Sequence, residues 1–446
     1  MTEEQAPGRH RRRPHPVRRA VSWTIVGILV CSAAYAGITF TRTYQSSDGE
    51  PTQVIVATWM RDNRMGPLVA QLENLYYRYV DKPQVGGTPT LSADVQAEDQ
   101  AGTDDLSGID SIGNPAVASA PGTSPDAGPA PLDAAGSTPV LLGGGLVRNI
   151  TNTSSSTVAS AAPAPRQHLD PPPTLVSPVK NPEPKEGVWQ PVASKVDGIP
   201  AVYVARVRAD DVHTSYYASA MWIDTSLTTA MLVPGYEDPG GPNPYNGALP
   251  KDLWPLVLAN VNGAFRLDDS QGGYYYKGKT VRPLVEGRAS AVIYKDGTIR
   301  IGKWGRDLTM SPEVDAVRQN LNLIVDKGKS MVSNGADHVV WGATTDKESL
   351  AWRAAIGQRA DGSIVYVGSP HLSADGLANV LVSTGVKQAM VLDMNDWWTA
   401  GFYFKHAKDG APLCRKLDPA IAEGCDRFLK PYKRDSFQFL AKPLSN

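Results

Sequence analysis

Histidine and cysteine are scarce in this sequence, at seven and three among 446 residues, and neither forms a pattern. No Cys/His cluster has metal-ligand spacing, so a zinc-type site is not legible. There is no Gly-rich P-loop for nucleotide phosphates and no Gly-x-Ser-x-Gly elbow for a serine nucleophile. His10, His15 and His168 precede the folded body. His371 stands just before a helix and reads as a surface or turn residue, so nothing supports a histidine-dependent triad. An excess of charge is also missing, with 44 Lys and Arg against 45 Asp and Glu. Without a global basic field, nucleic acid is not an expected partner.

What is present divides the chain. Residues 1–19 are polar and Arg-rich, forming a basic tail. Residues 20–41 carry no charge, long enough for one transmembrane helix. The preceding arginines place the N-terminus in the cytoplasm and the remainder outside, a single-pass cell-membrane protein. A cleaved signal peptide is the rival, since Ala34-Tyr-Ala36 resembles a cleavage site. Residues 51–80 predict juxtamembrane helices. Leu68, Leu72, Leu75, Tyr76 and Tyr79 recur at helical spacing after Gly66-Pro67, a face expected to pack on the main domain. Residues 85–185 are rich in Pro, Ala, Gly, Ser and Thr, too poor in apolar periodicity to offset chain entropy, and read as a disordered linker.

Residues 186–446 form the folded body. Short β-type runs recur, with turn signals at Lys295-Asp-Gly297 and Ala360-Asp-Gly362 joining hairpins. The best helix is Ser373–Thr384, capped by Ser373 and stopped by Gly385. A second, short one is read at Ser311–Gln319. Many strands with few helices predict an α+β fold on mixed or antiparallel sheets. Cys414 and Cys425, close together, form a plausible disulfide if that end is extracytoplasmic.

The candidate chemistry lies at strand ends. The apolar run Ala389–Leu392 delivers Asp393, Asn395 and Asp396, followed by Trp397 and Trp398. Such ends are where α/β and α+β enzymes hold ligands, because the strand fixes the side chains while the mouth stays open. Asn260-Val-Asn-Gly-Ala-Phe265 is a second such end. Glu286 and Arg288 flank a glycine, Arg318 and Asn320 lead into the strand that ends in Asp326, and Arg353 begins a strand too apolar for a charge without a partner or anionic ligand. An ordinary turn or a surface ion pair is the plain alternative for each.

In order, Asn262-Gly-Ala-Phe265, the Asp296-Gly hairpin, the Leu323–Gly328 strand, Arg353-Ala-Ala-Ile-Gly357, the Asp361-Gly hairpin, the Ser373–Gly385 helix and Leu392-Asp393 resemble the phosphodiester glycosidase family. That family includes the enzyme that uncovers mannose 6-phosphate, and the resemblance covers the body, 186–446. Two departures stand out. Ala264 replaces a family glycine, and Asp393-Met-Asn-Asp-Trp-Trp398 replaces a glycine-rich end, which looks closer to a membrane-anchored actinobacterial branch.

The resemblance implies cleavage of a sugar–phosphate diester at the sugar carbon. The phosphate monoester leaves without much protonation, so the site needs cations for the phosphate and carboxylates for the oxocarbenium-like transition state or for water. On this reading Asp393 is the essential carboxylate, with Asp326 or Glu286 as its partner. Arg353, Arg318 and Arg288 hold phosphate, and Asn262, Asn320 and Asn395 complete the substrate contacts. The substrate class is a sugar-phosphate or envelope polysaccharide. No cofactor is implied, although a hard cation at Asp393 and Asn395 is conceivable. The competing expectation is a non-catalytic glycan-binding or envelope-assembly protein on the same fold, motivated by the altered end of the Asp393 strand.

Overall fold

A computed structural model describes residues 16–47, 49–80, 82, 84–89, 166–332, 338–341 and 350–442. The basic tail to residue 15 and residues 90–165 of the expected linker lie outside the described residues. Mostly antiparallel sheets with few helices make the fold α+β.

The longest sheet has eight strands, ordered 190–191, 202–207, 218–223, 364–372, 351–359, 386–391, 323–326 and 329–330. Its central strands are apolar at nearly every position because both faces are covered. Successive side chains alternate between faces, and the packing follows that period. Ala354, Ile356, Ile364, Tyr366, Met390 and Leu392 face the larger core. Their neighbours Ala355, Val365, Val367, Ala389 and Val391 face the other way. There helix Ala374–Ser383 lies across the sheet with Leu377, Val380 and Leu381 buried. Burying each such Leu, Ile or Val contributes about 1.5–3 kcal/mol. Ser373 caps this helix by accepting from the Gly376 amide at 2.9 Å.

The larger core joins the long sheet to two five-stranded sheets. One runs in the order 299–303, 289–294, 314–320, 274–276 and 279–282. The other runs 412–416, 401–406, 257–262, 436–441 and 228–233, and supplies Phe402, Phe404, Phe437 and Phe439. Both expected hairpins form, 289–294 with 299–303 and 351–359 with 364–372. Cys414 and Cys425 are joined as a disulfide.

Three expectations change. Ser311–Gln319 is not a helix, because Val314–Asn320 is a strand between 289–294 and 274–276. Its run of buried residues satisfies a two-sided strand, and pairing on both edges outweighs the weak local helix signal. Residues 166–185, which composition assigned to the linker, pack on the body: Leu175 is buried, and Leu169 donates its amide to Asp224. The third concerns the N-terminal helices, Pro16–Gln45, Thr52–Asp62 and Gly66–Tyr79. In the last of these Val69 is buried, whereas Leu68, Leu72, Leu75, Tyr76 and Tyr79 are 47–71% exposed. The apolar stripe therefore faces away from the body.

Residues 24–45 of the first helix are apolar and long enough to cross a membrane, a test that a signal sequence near the N-terminus also passes. Replacing Ser373 with Ala removes the cap of helix Ala374–Ser383. The expected loss is about 1 kcal/mol in urea denaturation, with the slope unchanged.

Candidate active site

The site begins at one glycine. Strand 257–262 ends at Asn262, and Gly263 then donates its amide to the Asp435 carbonyl at 2.8 Å. Its own carbonyl accepts from the Asp393 amide at 3.0 Å. A Cβ on Gly263 would sit 2.3 Å from Asp435 Oδ1, so only glycine allows this approach. The ends of two sheets thus meet here, and the chain after 386–391 is tied to the chain before 436–441.

Asn262 locks the junction. Its Oδ1 accepts from the Tyr366 hydroxyl at 2.8 Å and the Ala400 amide at 3.1 Å. Its Nδ2 donates to the carbonyls of Gly263 and Asp393 at 3.0 and 3.3 Å. Asn395, at φ +138°, closes the following turn, its Oδ1 accepting from the Trp397 and Trp398 amides. Buried Arg427 donates to the carbonyls of the same two tryptophans. The loop carrying Asp393 is fixed from both sides.

Asp393 is 6% exposed, and its Oδ2 accepts from Arg434 Nη2 at 2.5 Å. Burial drives the Asp393 pKa up while Arg434 draws it down, and the net shift is upward. Burial works against the charge on Arg434, but the carboxylates of Asp393, Asp238 and Asp435 more than offset it and raise its pKa. The guanidinium also lies 4.9 Å from the Trp398 ring centroid. Next to this pair, Arg318 Nε donates to Asp435 Oδ2 at 2.8 Å and Nη2 to the Phe265 carbonyl at 2.5 Å.

Asp393 and Arg434 open into a cleft of about 920 Å³, with Asp269, Arg266, Lys433 and Trp398 also on the body side. Its other wall comes from the N-terminal helices, including Arg42, Arg61 and Asn74. Ion pairs bridge the two walls, Arg266 with Asp62 at 2.5 Å and Lys433 with Glu50. Carboxylates and guanidinium groups converge in a space large enough for a sugar and a phosphate.

Residues 256–393 match the family model described as phosphodiester glycosidase. This stretch of the chain belongs to the phosphodiester glycosidase family. Among solved structures, the chain is similar to the zebrafish N-acetylglucosamine-1-phosphodiester alpha-N-acetylglucosaminidase catalytic domain auto-inhibited by pro-peptide. The identity is 15%, over 54% of this chain and 82% of that one, with TM-score 0.35. It is also similar to a hypothetical protein from Synechocystis, at 10% identity over 56% and 64% of the two chains, with TM-score 0.31. No curated protein matches. The family match supports a glycosidase-type function and ends at Asp393, a residue that lines the cleft.

The residues that carried the resemblance are only partly gathered here. Asp393 lines the cleft, Asn262 and Asn395 position it, and Arg318 supports it from beneath through Asp435. Asn320 is buried and donates to the Val391 carbonyl at 2.7 Å, bracing the same strand end. Arg353 donates to the Leu372 carbonyl and the Met394 sulfur, and burial lowers its pKa to about 10. Arg288 reaches the cleft rim by donating to Gln271.

The two proposed partners of Asp393 lie elsewhere. Asp326 pairs with Gln388, five residues before Asp393, so at ~3.3 Å per residue it sits near the opposite end of the strand. There Arg306 binds it at 2.7 Å and holds its pKa down. Glu286 is exposed against Gly305. A carboxylate that does share the cleft is Asp269, on the short helix Leu267–Ser270, whose charge adds to the upward push on Asp393. Arg434 was also missed. Its signal was the charged run Lys433-Arg-Asp435 directly before an apolar strand. Among the described residues no group of three His, Cys, Asp or Glu side chains could hold a metal ion.

Replacing Arg434 with Met strands a buried carboxylate, and the expected loss of stability is about 3–5 kcal/mol by chemical denaturation. Adding Asp393→Asn in the same chain recovers part of that loss. Gly263→Ala forces Asp435 out of place and is expected to cost about 1–3 kcal/mol in the same assay.

Proposed function

We propose that the chain is a hydrolase of sugar–phosphodiester linkages, anchored by residues 20–41 with its body on the extracytoplasmic side and acting on envelope glycans. The observation that carries the reading is a buried carboxylate, Asp393, held by Arg434 in the lining of the cleft in a domain of this family. Phosphate is a weakly basic leaving group, so little proton donation is required. The work left is to place the phosphate against cations and to stabilise positive charge developing on the sugar ring.

In this reading Arg266 and Lys433, with Arg434 behind them, face the phosphate. Asp393 supports the ring or activates water, and Asp269 supplies the second carboxylate. Trp398 offers a face for the sugar. Water adds to the sugar carbon as its bond to the phosphate oxygen breaks, giving free sugar and a phosphate monoester.

The test is release of free sugar from a panel of sugar phosphodiesters by the full chain. Asp393→Asn, folded by circular dichroism, is expected to lower kcat/KM by at least about a hundredfold. Turnover that survives Asp393→Asn would overturn the assignment. Because burial raises the Asp393 pKa, its reactive carboxylate is lost on acidification at a pH above the ordinary aspartate value of about 3.9. The acid limb of kcat/KM is expected there, and Arg434→Met should move it further up.

A further inference from the structure

We infer that the substrate is a lipid-linked sugar phosphate, presented to the cleft from the same bilayer that holds the anchor. This rests on the glycosidase reading and names the substrate class for the same site. The first observation is where the cleft lies. Arg42, Thr43 and Ser46, at the end of the apolar span 24–45, are part of its wall. An uncleaved span therefore ends at the cleft itself, within the headgroup layer where the hydrocarbon gives way to water.

The second observation is the helix 66–79, which has two working faces. Pro67, Ala70, Gln71 and Asn74 look into the cleft. Leu68, Leu72, Leu75 and Tyr79, spaced as one stripe, are exposed with Tyr76 beside them. A stripe of this kind on a short helix joined to a membrane span is matched by the bilayer surface, with tyrosine at the interfacial level. The neighbouring helix 52–62 is held close to the span. Trp59 donates to the Thr39 hydroxyl at 3.0 Å, and its ring packs edge-on to Phe40 at 5.7 Å.

The third is charge. Arg42, Arg61, Arg266 and Lys433 line the cleft on both walls, the last three in ion pairs with Glu73, Asp62 and Glu50, and the phosphate of a membrane-held diester would take the place of those carboxylates. A lipid tail then returns to the bilayer beside the span while the sugar reaches Asp393. The reaction adds water to the sugar carbon and leaves the phosphate on the lipid as a monoester. Confinement of enzyme and substrate to one surface raises their effective concentration.

The experiment compares matched diesters of the same sugar phosphate, one esterified to a long-chain polyprenol and one to methanol, over a small sugar panel. The full chain is reconstituted in vesicles of phosphatidylglycerol and phosphatidylethanolamine. The expected result is kcat/KM at least about tenfold higher for the polyprenyl diester. Leu72→Glu with Leu75→Glu is expected to lower the ratio of lipid-held to soluble turnover. Equal turnover of the two diesters, or a ratio unmoved by the double variant, overturns the lipid-linked substrate while the glycosidase reading stands. Turnover of neither diester overturns both.

Discussion

Gly263 accepts the Asp393 amide through its carbonyl and gives its own amide to Asp435, and the geometry of the site follows from that pair of hydrogen bonds. Two sheets that share one apolar core are brought to a common end, so residues far apart in the chain become neighbours. The junction tolerates no side chain at 263, since an Asp435 carboxylate oxygen lies 2.3 Å from where a Cβ would be. Asn262 and Tyr366 then satisfy the polar groups that such a meeting of backbones buries.

Around the junction lie alternating charges that are stable only as a set. Arg434 sits on Asp393 and Arg318 on Asp435, each pair deeply buried. Removing water from four ionised groups is costly, and mutual attraction offsets it only while every partner is present. Such a set suits a site that must hold a carboxylate ionised but short of solvent. The same desolvation that raises the Asp393 pKa strengthens any interaction it makes with developing positive charge.

The N-terminal helices give the cleft its second wall, outside the segment matched by the family. Ion pairs from Asp62 and Glu50 fasten that wall to the body. Its polar face completes the cleft, and its apolar stripe is left facing outward. One helix thus links the surroundings of the protein to the walls of its site.

From the sequence alone came the elements whose signals are local. Asp-Gly turns set the hairpins, Ser373 and Gly385 bound the helix, and the uncharged run before Thr41 marks an apolar helix long enough to cross a membrane, because each depends on residues within a few positions. The strand end carrying Asp393 was legible for the same reason. Tertiary structure alone decided which charges meet. Asp326 looked equivalent to Asp393 as a strand-end carboxylate, yet antiparallel pairing sends it to the opposite end of the same sheet. Arg434 and Asp269 stand 41 and 124 residues from Asp393 in the chain and reach it only through sheet order and a shared cleft. The direction of the 66–79 stripe was likewise undetermined, since periodicity shows that a face is apolar but not what lies opposite it.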